Sequence, residues 1–220
     1  MSFDQIKQTD NLINLCVVSC AAATGFYSAV NRANVRPGSN CAVWGIGGIG
    51  LNTLQGCKYN QAKNIIAIDV NPAKRDVALQ FGATEFINPK ELDKPLEQYL
   101  MEKYNGGMDY TFDCFGSQMI VDQAINSLTM SGTFTMVGVT GTDVQIKYPA
   151  LMLLFSRKIT GCLLGAKKAS QAYPEMVDLY LAKKIKINEL ITNKFKLEQI
   201  NEAFQTLKDG KSIRSIIVFD

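Results

Sequence analysis

The sequence predicts an α/β fold built on a doubly wound, six-stranded parallel sheet. Short apolar runs typical of strands alternate with segments of helical periodicity from about residue 40 to residue 164. The first run ends in three glycines, Gly45, Gly47 and Gly50, and the second ends on Asp69. This order of elements places parallel strands between two layers of helices.

The first half of the sheet is predicted between residues 40 and 87. Its strands are expected at 40–44, 64–69 and 84–87. Helices fill the gaps, and Asn71-Pro72 is expected to start the second of them, since proline is tolerated in the first turn of a helix. An alanine-rich segment, residues 16–30, is expected as a buried helix that leads into the first strand.

The second half repeats the pattern. Helices are expected at 94–103, 117–130 and 150–155, and strands at 109–115, 133–139 and 159–164. Beyond Gly165 we expect a helix at 173–185 that opens with Pro174, a strand at 191–195, a helix at 197–207 and a strand at 212–219. This tail is too short to form a domain alone, and its apolar positions require a partner surface.

The three glycines have the G-x-G-x-x-G spacing of a dinucleotide-binding loop. Gly45 lets the chain turn sharply out of a strand, Gly47 lets backbone N–H groups approach a pyrophosphate, and Gly50 lets the next helix pack closely. The phosphates then lie at a helix N-terminus, which favours an anion. Asp69, 19 positions beyond Gly50, can accept hydrogen bonds from the adenosine ribose and repels a 2′-phosphate. The expected cofactor is NAD rather than NADP, bound to a Rossmann-type unit.

Length, charge and hydropathy exclude several classes of protein. A chain of 220 residues can bury a sizeable core, and a net charge of +3 is too small to indicate nucleic acid binding. No run reaches the roughly 18 apolar residues of a membrane span, and the N-terminus lacks the pattern of a signal peptide. We therefore expect a soluble intracellular protein, cytoplasmic by default.

Histidine and cysteine usage limits the chemistry open to the chain. It contains no histidine, the commonest metal ligand and the usual acid–base group near neutral pH. Its six cysteines form no C-x-x-C pair, and several lie in apolar segments. This pattern favours free thiols in a reducing compartment over a disulfide framework.

Five stretches together carry a resemblance to a known family. They are CAAATG at 20–25, GIGGIG at 45–50, FGATEFINP at 81–89, GGMDY at 106–110 and GKSIR at 210–214. The chain resembles the zinc-dependent medium-chain alcohol dehydrogenases from about residue 6 to its C-terminus, most closely the glutathione-dependent formaldehyde dehydrogenase class (class III alcohol dehydrogenase). In that family a catalytic domain precedes the equivalent segment, and the C-terminal tail folds back to complete that domain.

The resemblance implies a set of cofactor contacts. The glycine loop, with Gly45, Gly47, Gly48 and Gly50, would hold the pyrophosphate together with Arg214, and Asp69 and Lys74 would bind the adenosine ribose. Thr24 and Ile49 would lie against the nicotinamide, Phe115 near the adenosine, and the backbone of Val137, Cys162 and Leu164 at the carboxamide. The alternative is that Lys74 and Arg214 are solvated cations and that Phe115, Val137 and Leu164 are core residues with or without a cofactor.

Only the third of the family's catalytic-zinc ligands has an equivalent, Cys20. The first two ligands, the proton-relay residues and the four-cysteine structural zinc lobe lie in the part that the chain lacks. A catalytic zinc needs two further protein ligands. Cys16 is the only other thiol near Cys20 in the sequence. The alternative for Cys20 is an inert buried thiol, and Ala21 departs from the glycine usual at its position.

Two functions remain open. The first is the NAD-binding part of an alcohol dehydrogenase, which in the full family enzyme transfers a hydride between an alcohol or S-hydroxymethylglutathione and NAD, and which is expected to be inactive as this chain alone. The second is a non-catalytic pseudoenzyme that serves as a binding or structural subunit. The expected parts are a lead-in at 1–20, a dinucleotide-binding domain at 21–164 and the remnant of a catalytic domain at 165–220.

Partners are expected at two places. In the family, the last strand of the sheet, here 159–164, pairs antiparallel with its twin, so a homodimer is predicted. Such pairing also removes an apolar sheet edge that would otherwise invite aggregation. A partner chain is expected to cover residues 186–220.

Overall fold

The computed structural model describes residues 12–219, which form two compact units. One unit spans residues 24–166, and the other combines residues 12–23 with 167–219. Most of the lead-in expected at 1–20 therefore lies outside the described residues. The division of the chain into a lead-in, a cofactor domain and a tail stays a prediction.

The unit of residues 24–166 contains a six-stranded sheet in the order β3-β2-β1-β4-β5-β6. Its strands are β1 (Asn40–Trp44), β2 (Asn64–Ile68), β3 (Glu85–Ile87), β4 (Met108–Asp113), β5 (Leu128–Met136) and β6 (Lys158–Gly161). All five pairings are parallel. The predicted doubly wound α/β class is confirmed, and the carboxyl ends of β1 and β4 meet where the strand order reverses, the usual ligand position in such sheets.

The α-helices of the described residues are short. They are α1 (Leu12–Leu15), α2 (Cys20–Tyr27), α3 (Gly48–Tyr59), α4 (Arg75–Gln80), α5 (Leu96–Lys103), α6 (Gln118–Asn126), α7 (Ala169–Leu181) and α8 (Ile200–Lys208). A π-helical turn, Ser28–Arg32, continues α2, and single 3₁₀ turns precede α4 and α8. Asn71 caps the turn before α4 by accepting a hydrogen bond from the Ala73 N–H, which is the start expected from Asn71-Pro72.

The sheet buries both of its faces, as its continuous apolar strands require. Residues 41–44 of β1 and 65–68 of β2 are all buried. One face packs against α5 and α6 in a single cluster of buried side chains. Its members are Ala42, Trp44, Ile66, Ile68, Ile87, Leu96, Leu100, Met108, Val121, Ala124, Ile125, Leu128 and Phe134.

Several helix boundaries differ from the expectation, including those of the helices expected at 117–130 and 173–185. The helix expected at 117–130 ends at Asn126, and β5 begins at Leu128 rather than at residue 133. Leu128 falls at a position that fits the helical apolar pattern in the sequence. In the structure it is instead a core residue of β5 and pairs with Met108. The helix expected to open with Pro174 starts at Ala169, so the proline lies inside α7.

The second unit joins the start and the end of the described chain. Asn14 of α1 donates a hydrogen bond to Asn188 Oδ1 at 2.7 Å, and the Tyr180 hydroxyl donates to the same oxygen at 2.7 Å. Strands β7 (Ile191–Phe195) and β8 (Arg214–Ile217) form a parallel pair with α8 between them in sequence. The tail thus has its own small sheet of two strands.

Candidate functional site

The glycine loop connects the end of β1 to the start of α3. Gly45 has a φ of +83°, a left-handed conformation that glycine adopts at little cost. An added Cβ at Gly50 would lie 2.1 Å from the Gly45 carbonyl oxygen, so the first turn of α3 can lie against the loop only without a side chain there. These two glycines set the path of the loop.

Gly47 leaves the space in front of α3 open. An added Cβ at Gly47 would meet no atom within 4 Å. The helix begins at Gly48, and its N-cap residue is an extended Gly47 (φ −103°, ψ −163°), which provides no side-chain cap. Because the first N–H groups of a helix lack intrahelical partners and the dipole is positive there, this open end suits a phosphate group.

Asp69, directly after β2, holds the loop from the side. Its Oδ2 accepts hydrogen bonds from the Ile46 N–H and the Lys74 ammonium, each at 2.8 Å, and its Oδ1 accepts one from the Asn71 N–H at 2.9 Å. Lys74 therefore forms an ion pair with Asp69. In addition to any contact with a ribose, Asp69 positions the backbone of the glycine loop.

An apolar cleft of about 600 Å³ opens beside this loop. It is lined by residues from the ends of β1, β2 and β4 and from the following loops and helices. They include Trp44, Gly45, Gly47, Asp69, Val70, Lys74, Pro89, Cys114, Phe115, Met119 and Gln123. Phe115 is 66% exposed, so it is not the core residue considered as an alternative. Its apolar face is free to contact a flat ring.

Helix α2 packs closely on α3 through a glycine on each helix. An added Cβ at Gly25 would lie 2.2 Å from the Ile49 carbonyl oxygen, and one at Gly56 would lie 2.5 Å from the Phe26 carbonyl oxygen. This contact sets Gly25, which follows Thr24 in sequence, against Ile49, and Thr24 and Ile49 are the two residues implied at the nicotinamide. Thr24 is buried, and its hydroxyl has no hydrogen-bond partner among the described residues.

The three residues implied at the carboxamide follow the ends of β5 and β6. The Val137 N–H donates to the Asp113 carbonyl oxygen, and the Cys162 N–H donates to the Met136 carbonyl oxygen at 2.8 Å. Val137 and Cys162 are buried, whereas Leu164 is 48% exposed and has a left-handed backbone (φ 49°). Leu164 is therefore not a core residue either.

The two remaining predicted residues belong to the other unit. Arg214, on β8, lines a small apolar groove with Phe204, Leu207 and Ile217. Cys20 is exposed, so the buried-thiol alternative is wrong for it. The helix expected to be buried from residue 16 is continuously buried only from Ala21, since Val18 is buried before it but Cys16, Ser19 and Cys20 are exposed. No group of three histidine, cysteine, aspartate or glutamate residues within 12–219 could hold a metal ion. The described residues therefore do not fit zinc on their own.

All six cysteines are free, and four of them, Cys41, Cys57, Cys114 and Cys162, belong to the unit of residues 24–166. Burial raises the pKa of the Cys114 thiol to about 12, and burial likewise raises the pKa of Cys57 and of Cys162. These thiols are thus protonated near neutral pH and are poor nucleophiles. Cys114 forms a part of the cleft wall, and its raised pKa does not favour a role as a nucleophile.

Sequence reasoning missed Asp113, the last residue of β4. It is fully buried between Trp44 of β1 and Met136 of β5 in the sheet register. Its Oδ1 accepts hydrogen bonds from the N–H groups of Phe115 and Gly116 at 2.9 and 2.8 Å, while Oδ2 has no partner among residues 12–219. Burial raises the pKa of this carboxyl, against the two N–H donors that lower it. The signal available in the sequence was an acidic residue at the end of an apolar run predicted to be a buried strand.

Comparison with known proteins gives a consistent result. Residues 48–183 match the family described as zinc-binding dehydrogenase. The chain is 54% identical over 215 residues to geraniol dehydrogenase of Carpoglyphus lactis. Benzyl alcohol dehydrogenase from Acinetobacter calcoaceticus superposes with a TM-score of 0.89 at 28% identity over 97% of this chain, and an alcohol dehydrogenase zinc-binding domain protein from Burkholderia ambifaria with 0.85 at 29% over 91%.

The matches cover only part of each relative. This chain spans 57% of the geraniol dehydrogenase, 59% of the benzyl alcohol dehydrogenase and 54% of the Burkholderia protein. Within residues 12–219, no helix is long and apolar enough to cross a membrane. With its parallel sheet, glycine loop and extended sequence match, the chain belongs to the zinc-binding dehydrogenase family, that is, to the medium-chain alcohol dehydrogenases.

Proposed function

We propose that the chain is the NAD-binding part of an alcohol dehydrogenase-like oxidoreductase. The observation that carries this proposal is the apolar cleft beside an open helix N-terminus. An added Cβ at Gly47 would meet no atom within 4 Å, and Asp69 lines the cleft. The pyrophosphate would lie at the N-terminus of α3, and the adenine against the apolar wall that includes Phe115. Bound NAD would supply the hydride acceptor for alcohol oxidation.

Asp69 supports NAD over NADP. Its carboxylate lies at the cleft and is 8% exposed at the side chain, so a 2′-phosphate would approach a poorly solvated negative charge. Lys74 offsets that charge in part through the ion pair. Three hydrogen bonds in total hold the two Asp69 oxygens, so the carboxylate cannot turn away from a 2′-phosphate without breaking them. A net preference for NAD over NADP follows.

For the substrate, we propose a primary alcohol with an apolar body. Geraniol and benzyl alcohol, in the names of two relatives, are both primary alcohols whose carbinol carbon adjoins a π-system. S-hydroxymethylglutathione is the alternative that the resemblance to the class III enzymes implies. Because the described residues do not fit zinc, activation of the alcohol would come from other residues of a longer protein or from a partner chain.

Turnover assays separate this function from that of a non-catalytic subunit. The purified chain would be given zinc, NAD and geraniol, benzyl alcohol or S-hydroxymethylglutathione, with NADH formation followed by absorbance. We expect NAD binding but no sustained turnover by the chain alone, and turnover once a partner carrying zinc-ligand cysteines and histidine is added. Sustained turnover without a partner would contradict the proposal that the alcohol is activated by residues of a longer protein or of a partner chain. Failure of every captured partner to restore turnover would favour the structural subunit.

A further inference from the structure

Asp113 is bonded to two different loops at the carboxyl edge of the sheet. Its side chain accepts hydrogen bonds from the N–H groups of Phe115 and Gly116 at 2.9 and 2.8 Å. Its main-chain carbonyl oxygen accepts two more, from the N–H groups of Val137 and Gly138, at 2.9 and 2.8 Å. Four backbone donors thus converge on one buried residue.

The two loops also lie in direct contact with each other. An added Cβ at Gly138 would lie 2.6 Å from the Phe115 carbonyl carbon, and one at Gly116 would lie 2.3 Å from the Val139 carbonyl oxygen. Gly116 has a φ of +94°, so its glycine is required by conformation as well as by space. Neither loop can move far without displacing the other, since close-packed backbone leaves no room for independent shifts.

These loops serve opposite ends of the proposed cofactor. Phe115 belongs to the cleft wall on the adenosine side, while Val137 is the residue implied at the carboxamide. We propose that Asp113 is a positioning residue that couples the two loops, so that a ligand seated against Phe115 also orders the backbone of Val137 and Gly138. The proposal rests on the proposed binding of NAD for its biological use, but the coupling itself is a property of the unliganded chain.

The carboxylate is suited to this role by its burial. With a solvent exposure of 0%, Asp113 has no water to replace a lost partner, so its Oδ1 bonds to the two N–H groups are costly to break. Asparagine keeps an acceptor at Oδ1, whereas alanine removes it. Asp109 offers a matched control, because its Oδ2 accepts a hydrogen bond from the Asn40 N–H at 2.8 Å near the opposite end of the same strand.

Amide hydrogen exchange of the unliganded chain tests the coupling. In Asp113→Ala we expect faster exchange at Phe115 and Gly116, by about fivefold for a hydrogen bond worth about 1 kcal/mol, and faster exchange at Val137 and Gly138 as well. Asp113→Asn should restore the rates of the original chain, and Asp109→Ala should leave all four amides unchanged. An increase confined to Phe115 and Gly116 would overturn the proposal.

Two further experiments distinguish loss of coupling from a folding defect and from failure of NAD binding. Gly138→Ala, which crowds Phe115 from the second loop, should raise exchange at Phe115 and Gly116, and exchange unchanged there would overturn the coupling. ADP, which lacks the nicotinamide, should slow exchange at Val137 and Gly138 in the original chain but not in Asp113→Ala. If ADP binds without protecting these amides, the coupling is wrong. If neither ADP nor NAD binds, the proposed function fails, and the unliganded comparison still decides the coupling.

Discussion

Gly47 and Gly50 are close in the same loop but are glycines for different reasons. The space around Gly47 is open and its backbone is extended, so an alanine fits the unliganded chain. Gly50 faces the Gly45 carbonyl oxygen at a distance that no Cβ tolerates. The first residue reserves room for a ligand, and the second permits the fold.

Alanine at the two glycines should therefore affect different quantities, NAD binding at Gly47 and stability at Gly50. Gly47→Ala should leave the unfolding free energy within about 0.5 kcal/mol of the original and weaken NAD binding on the order of tenfold, or about 1.4 kcal/mol. Gly50→Ala should lower the unfolding free energy by about 1–3 kcal/mol, as overpacked sites do. Urea unfolding and calorimetric titration measure both quantities. Equal losses of stability in the two variants would contradict the open space at Gly47.

Asp113 should make stability depend on pH. Its pKa is raised in the folded chain, so between the unfolded value near 3.8 and the folded value the native state holds the extra proton. The stability contributed by that proton is present at low pH and is lost as the pH rises through the folded pKa. Asp113→Asn should remove this loss, so its advantage over the original chain should grow with pH across that window. Urea unfolding at several pH values measures the difference, and a constant difference would refute this reading.

At the scale of elements, the close packing of α2 on α3 and the edge position of β6 matter most. The first contact depends on Gly25 and Gly56, and it brings Gly25, the residue after Thr24, to the first turn of α3. The second leaves one side of β6 without a strand partner among the described residues. Large apolar side chains that flank β6 in sequence are exposed, including Leu151, Leu154 and Leu163.

The exposed edge of β6 predicts a homodimer. The strand edge is open, and the segments that flank it in sequence carry leucines exposed by 65–85%, which pairing with a second copy would bury. Light scattering at micromolar concentration should give twice the mass of the chain, and Leu154→Asp should shift the chain toward a monomer. Leu79→Asp, at an exposed leucine on α4, is the control and should remain dimeric. A monomeric original chain would contradict the prediction.

At the scale of the whole molecule, the order of strands creates the cleft. Gly45, Asp69 and Phe115 are distant in sequence, yet they follow the carboxyl ends of β1, β2 and β4, which are neighbours in the sheet. Parallel pairing brings these ends to one edge, and the reversal of strand order between β1 and β4 opens space there. The candidate cofactor site is thus a consequence of topology as much as of the glycine loop.

This explains which features the sequence alone could predict. The glycine spacing and the distance to Asp69 are local patterns, and the strand alternation that fixes the fold class is also local. The hydrogen bonds of Asp113 depend on register between strands, and the start of β5 at Leu128 depends on pairing with Met108, so neither follows from periodicity. The exposure of Cys20 likewise depends on packing rather than on its apolar neighbours in sequence.

The central claim, that the cleft beside the glycine loop binds NAD, is tested most directly by calorimetry. The chain would be titrated with NAD and with NADP, and Asp69→Asn and Gly47→Ala would be titrated with both. We predict one NAD site per chain, weaker binding of NADP, a reduced preference for NAD in Asp69→Asn, and weakened binding of both dinucleotides in Gly47→Ala. Absence of NAD binding to the original chain, or equal affinities across all three proteins, would contradict the claim.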